Sequence, residues 1–237
     1  MKTMDTTRKL ALAAGVLYLV TFAASIPTLA LKAPLVDHAD FVLGHGSDTG
    51  VLWGCFLDFV CAIAGIGTAV ALYPVTRRFS RTSAIGFVAT RTLEAAILTV
   101  GAISLLSIVT LRNNLVGGDT SALMTTSRSL LAMHDWSFLF GPGFMPAFNA
   151  LFLATVMYRF RLVPRFIPLM GLVGAPLLLA SGMATLFGGH AQTSSTAMLM
   201  ALPIAAWEFS LGVYLTFKGF QRPIDTDAPV ASAALAA

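Results

Sequence analysis

The chain has 237 residues, of which 57% are hydrophobic and only 11% charged, against roughly a quarter charged in an ordinary soluble domain. With a mean hydropathy of +0.81, water is excluded as its main solvent, and its length suits one bundle of membrane-crossing helices without a further soluble domain. The net charge of +4 does not call for nucleic acid, because the basic residues sit where membrane topology requires them.

Six apolar runs are long enough to span a bilayer, each holding about 20 residues or more. The first, Leu10 to Leu31, follows Lys2, Arg8 and Lys9 as a signal peptide would, but it is too long for a cleaved h-region and reads as a retained helix. The second, Val51 to Pro74, carries both cysteines. Cys55 and Cys61 are six helical positions apart, about 9 Å along the axis and on different faces, so neither a mutual disulfide nor a metal site is expected. On this helix Asp58 shares a face with Cys61, Ala62, Gly65 and Thr68, opposite the bulky Phe56, Phe59, Ile63 and Ile66, which turns the carboxylate toward protein.

The third run, Ala84 to Leu111, places Thr90, Arg91, Glu94, Gly101 and Ser104 on roughly one side, and Arg91 can pair with Glu94 at i,i+3. After it, Asp119 to Met133 has a modest helical pattern suited to the membrane interface. The fourth run, Trp136 to Tyr158, contributes Asn149 and an irregular start. Pro142 is expected to free the carbonyl of Phe138, Pro146 that of Pro142, and Gly141 and Gly143 loosen the turn between. Broken helices at membrane depth commonly line cavities.

The fifth and sixth runs, Phe166 to Phe187 and Ala197 to Phe217, contain Pro176 and Pro203, which leave the carbonyls of Leu172 and Leu199 without their helical donors and loosen the outer half of the bundle. The stripe Ala201, Ala205, Glu208 and Gly212 lets neighbouring backbones approach and turns Glu208 inward. A faint internal echo pairs Tyr73 and Gly86 with Tyr158 and Gly171, each bracketing a basic turn. Beyond a single transmembrane domain over 1–220, the polar and then Ala-rich stretch 221–237 reads as a disordered cytoplasmic tail.

Orientation follows from the basic residues, which are retained on the cytoplasmic side during insertion. An N-in/C-in arrangement puts Lys2, Arg8, Lys9, Arg77, Arg78, Arg81, Arg159, Arg161, Arg165, Lys218 and Arg222 inside, leaving only Lys32, Arg112 and Arg128 outside. The chain is thus expected to be an all-α polytopic bundle in the cytoplasmic membrane, with the lipid bilayer as its principal partner and its oligomeric state open.

Ionisable groups in hydrocarbon are costly and usually face the bundle interior with partners. Counting from each helix centre, Glu208 and Asn149 lie within ~3 Å of the midplane, Glu94 ~5 Å and Arg91 ~10 Å to its inner side, and Asp58 ~7 Å to its outer side. The candidate polar core is therefore Arg91, Glu94, Glu208, Asp58 and Asn149. Three carboxyls cannot all ionise cheaply beside one guanidinium, so at least one is expected to hold a proton or meet a cation. A closed clamp in which Glu94 and Glu208 share Arg91 is the structural alternative.

The histidines, His38, His45, His134 and His190, fall on the outer side with no established ligand spacing and read as ordinary loop residues. The basic residues from Arg159 to Arg165 are explained by topology. The sequence has no phosphate-binding glycine loop, HExxH, nucleophile elbow or intramembrane lysine of the retinal type, and no cofactor or metal is expected.

Several local motifs taken together, namely Ala71-Leu-Tyr-Pro74, Arg91 with Glu94, Gly141-Pro-Gly143, Tyr158-Arg-Phe-Arg-Leu-Val-Pro-Arg165, Trp207-Glu208 and Lys218-Gly-Phe220, resemble an uncharacterised bacterial membrane family, the domain of unknown function 4386. The resemblance runs from about Leu10 to Phe220 and implies a six-helix inner-membrane protein without implying an activity. From the residues, the leading expectation is an acidic intramembrane pocket that binds or transports a small amphipathic or cationic molecule, with proton coupling through its carboxyls. The alternatives are a membrane enzyme using buried carboxyls for acid–base chemistry on a lipid or isoprenoid, and a structural or regulatory subunit without a pocket.

Overall fold

The computed structural model describes residues 5–38, 40–44, 46–113 and 119–221. Lys2, His45, Arg222 and the expected tail from residue 222 onward lie outside the described residues. Among the described residues seven α-helices follow one another: α1 (Thr6–Val36), α2 (Asp48–Thr76), α3 (Arg81–Asn113), α4 (Thr120–Phe140), α5 (Met145–Arg159), α6 (Phe166–Leu186) and α7 (Ser195–Phe217). With α4 and α5 counted as the two halves of one crossing, these are six spans long and apolar enough to cross a membrane. The protein is an all-α polytopic membrane bundle.

The spans pack in chain order around a ring, α1 on α2, α2 on α3, α3 on α4 and α5, α5 on α6, α6 on α7, and α7 closing back on α1. Small residues set the closing contact. A Cβ on Gly15 of α1 would lie 2.5 Å from the backbone nitrogen of Thr216, and one on Gly212 of α7 would lie 2.9 Å from Tyr18 Cβ, so only glycine lets these backbones meet. Farther along, Phe22 and Phe209 meet edge to face at 5.4 Å. The two glycines of the internal echo serve alike, Gly86 seating the ring of Phe152 and Gly171 that of Trp207.

The ends of the bundle differ. At the end that holds both the start of α1 and the finish of α7, Arg8 donates to the carbonyls of Leu215 and Thr216 at 2.8 and 2.6 Å. It satisfies acceptors that the last turn of a helix leaves open. This terminal end is sealed by one apolar core drawn from α1, α2, α3, α5, α6 and α7, including Tyr18, Leu72, Phe87, Leu153, Met157 and Trp207. Leu162 and Val163 plunge into it, which leaves Arg159, Arg161 and Arg165 exposed around the α5–α6 turn. Phe160 packs on Phe79.

At the far end a smaller core joins α1, α2, α3 and the short 3₁₀ turn Phe41–Leu43, through Leu35, Phe41, Val42, Val51, Leu105 and Ile108. Neither α6 nor α7 contributes to it, and Met198, Leu199 and Phe187 are exposed there. One end of the bundle is therefore packed shut, while the other is packed on one side only.

The segment Asp119 to Met133 is helical as its pattern suggests and, apart from its cap Asp119, belongs to α4, which runs without interruption to Phe140 and packs on α3. One expectation about the elements is corrected. The carbonyl of Phe138 is not left free by Pro142, because the Gly143 amide reaches back five residues to bond it at 3.1 Å. Gly141 to Phe144 thus form a turn between two helices, as the glycines and prolines require.

Candidate functional site

A chamber of about 360 Å³ lies between the two cores and is lined by residues of every helix. The break between α4 and α5 forms part of its wall through Phe138, Pro142 and Pro146, because a helix that ends and restarts there retracts its backbone. From α1 come Ser25, Ile26 and Leu29, from α7 Ala201 and Ala205. Ile26 and Leu29 are 70% and 56% exposed, so the chamber opens through a window between α1 and α7 on the far side of the Phe22–Phe209 contact.

Three of the candidate residues face this chamber as one unit. Arg91 on α3 is buried, donating through one terminal nitrogen to Glu94 Oε2 at 3.0 Å and through the other to Glu208 Oε1 on α7. Its guanidinium lies over the rings of Tyr18 and Phe87, 5.3 and 5.7 Å from their centroids. Asn149 on α5 donates from Nδ2 to Glu94 Oε2 at 2.6 Å and so holds that carboxylate in place from behind. The expected i,i+3 pair and the expected convergence of α3, α5 and α7 are both present.

Glu94 Oε1 and Glu208 Oε2 accept no hydrogen bond from the described residues, and both side chains line the chamber. Arg91 Nε and Asn149 Oδ1 are buried with no hydrogen-bond partner among the described residues. With both carboxylates ionised, this cluster carries one negative charge more than its guanidinium neutralises.

Asp58 also lines the chamber but has its own cation, so the expectation of one guanidinium for three carboxyls is corrected. Lys32 Nζ bonds Asp58 Oδ2 at 2.7 Å, with both side chains buried. Lys32 is not an outer-loop residue, because α1 continues past it to Val36 and carries it inside the bundle. Gly54, one turn before Asp58 on α2, makes the pairing possible, since a Cβ there would lie 2.6 Å from Lys32 Cγ. The signal in the sequence was the spacing Gly50, Gly54, Asp58, a groove for an aliphatic stem that ends at a carboxylate.

Of the described histidines, His38 and His190 lie in connections between helices as expected, and His134 differs from the loop reading. His134 is buried on α4, stacked on Phe138 and 3.1 Å from Asp135 through Nδ1. With Lys32, Asp37, Asp135 and Gln192 it lines a second cavity of about 510 Å³ at the far end, the vestibule. His190 contacts Thr185 and Ser194, and His38 is exposed in the α1–α2 connection. The cysteines are free, with Cys55 buried against the Ala102 carbonyl and Cys61 lining the chamber. Among the described residues no three His, Cys, Asp or Glu side chains are grouped as metal ligands.

No curated protein and no solved structure is significantly similar to the chain. A family match exists and covers residues 13–219, from the second turn of α1 to the glycine that follows α7, and so takes in the chamber and all its polar residues. On that extent of similarity this polytopic membrane protein belongs to the family described as a domain of unknown function, DUF4386.

Proposed function

We propose that the protein binds a small amphipathic cation in its intramembrane chamber and carries it across the membrane, with proton exchange on Glu94 and Glu208 alternating with cation contact. The observation that carries this reading is the pair of carboxylate oxygens, Glu94 Oε1 and Glu208 Oε2, which accept no hydrogen bond from the described residues while their side chains line a largely apolar cavity. One uncompensated negative charge in a low-dielectric space attracts one cation or one proton. The apolar walls and the window between α1 and α7 suit a molecule that also partitions into lipid. In this reading Arg91 is the fixed counter-ion that keeps the two carboxylates together, and Asn149 positions Glu94.

The terminal end is assigned to the cytoplasm of a bacterial inner membrane, and 1–220 to one transmembrane domain. Arg8, Lys9, Arg77, Arg78, Arg81, Arg159, Arg161, Arg165 and Lys218 gather there, whereas the far end keeps Arg112 and Arg128. Moving Lys32 into the bundle sharpens that asymmetry. The packed terminal core then makes this conformation closed to the cytoplasm and open outward.

The test is uptake of ethidium into vesicles reconstituted with the full chain under an imposed proton gradient. Glu208→Gln is expected to abolish uptake at unchanged protein level, and undiminished uptake by that variant would remove Glu208 from the mechanism. The window to lipid favours a second reading, acid–base chemistry on a lipid or isoprenoid with Glu94 and Glu208 as the exchanging groups. Formation of a new lipid product by the purified protein, lost in both Gln variants, would decide for it.

A further inference from the structure

The chamber and the vestibule share two wall residues, Leu29 of α1 and Phe138 of α4. The Lys32–Asp58 pair spans the same junction, because Lys32 lines the vestibule and Asp58 lines the chamber. Asp58 uses Oδ2 alone for Lys32, its Oδ1 has no hydrogen-bond partner among the described residues, and the side chain lines the chamber. A buried carboxylate with one oxygen still open is a cation site already half occupied.

We propose that Asp58 is a second cation subsite, placed where ligands pass from vestibule to chamber and filled in this conformation by the protein's own tethered ammonium, Lys32. An incoming ammonium competes with Lys32 for Asp58 before it reaches Glu94 and Glu208. The ligand class that fits is an alkylammonium: a compact charge able to take up the 2.7 Å contact that Lys32 makes, on an apolar body like the lysine stem that Gly54 accommodates. This proposal deepens the reading of the chamber as a cation site and rests on it for the direction of passage, while the subsite can be tested by itself.

A structural clamp of α1 on α2 would use the same contact, so the test needs readouts that separate the two. Lys32→Ala leaves room for a free amine beside Asp58. Thermal unfolding of the full chain in detergent is expected at lower temperature for this variant and to recover with n-butylammonium but not with n-butanol. The doubly substituted Lys32→Ala/Asp58→Asn chain is expected to show no amine-specific recovery. In ethidium titrations Lys32→Ala is expected to tighten binding about tenfold, equivalent to about 1.4 kcal/mol, because the tethered competitor is gone. Asp58→Asn is expected to weaken binding, because the ammonium of Lys32 is left unneutralised beside the path.

Failure of the amine to restore the alanine variant, or a shift of ethidium affinity in the same direction for both single variants, overturns the subsite. If Lys32→Ala does not accumulate, Lys32→Gln repeats the affinity comparison with the stem retained. Absence of ethidium binding to the wild-type chain would sink the chamber reading, and butylammonium recovery would then still decide the subsite.

Discussion

Arg91 is the residue on which the chamber's charge arrangement turns. Removing it leaves two carboxylates facing each other without a cation, and loss of one partner from a buried ion pair typically costs about 3–5 kcal/mol. Arg91→Ala is therefore expected to lower the unfolding temperature markedly in detergent, whereas Glu208→Gln, which keeps shape and a hydrogen-bond acceptor, is expected to be folded and inactive. Equal loss of folding in both variants would instead mark the cluster as a clamp. Cys61 offers a native reporter, since it lines the chamber while Cys55 is buried. N-ethylmaleimide is expected to label Cys61 in preference to Cys55, and ethidium to slow that labelling severalfold, which mass spectrometry of the intact chain can follow.

Between helices the decisive contacts are made by glycines whose missing side chains let partners close. At Gly15 the obstacle to any Cβ is the backbone of α7, which cannot move aside as a side-chain tip can. Gly15→Val is expected to destabilise the α1–α7 seam by about 1–3 kcal/mol, as overpacking usually does, measurable as a lower melting temperature. Gly54 differs in kind, because what it accommodates is the Lys32 stem. Gly54→Val is expected to displace that stem, separate Lys32 from Asp58 and move ethidium affinity in the same direction as Lys32→Ala. An unchanged affinity would mean that the lysine reaches Asp58 by another route.

For the whole molecule, one sealed end and one loosely packed end define a direction. The apolar core at the terminal end closes the chamber on that side, and the cavities share walls toward the other. A cysteine placed at Ala33 in the vestibule is expected to react with a membrane-impermeant thiol reagent added outside intact cells, while one at Leu72 in the terminal core is expected not to. A reporter fused after Phe220 is expected to be active only if it functions in the cytoplasm. Reaction of the Leu72→Cys chain from outside would contradict the proposed orientation or the seal.

The number of spans, the inward placing of Arg91, Glu94 and Glu208, and the break at Gly141 to Phe144 were all legible in the residues. Each follows from local causes: hydrophobic length, helical periodicity, or the missing amide of proline. Lys32 was not legible in the same way. It stands one residue beyond an apolar run and reads as a loop cation, until α1 is seen to continue and α2 to offer a glycine groove ending at Asp58. The same holds for His134, whose burial depends on α4 extending outward against α3. Which carboxylate has a cation of its own, which oxygens remain open, and which end of the bundle is shut are decided by contacts between distant segments. Those depend on how the helices meet in space, a property that periodicity along a single helix does not contain.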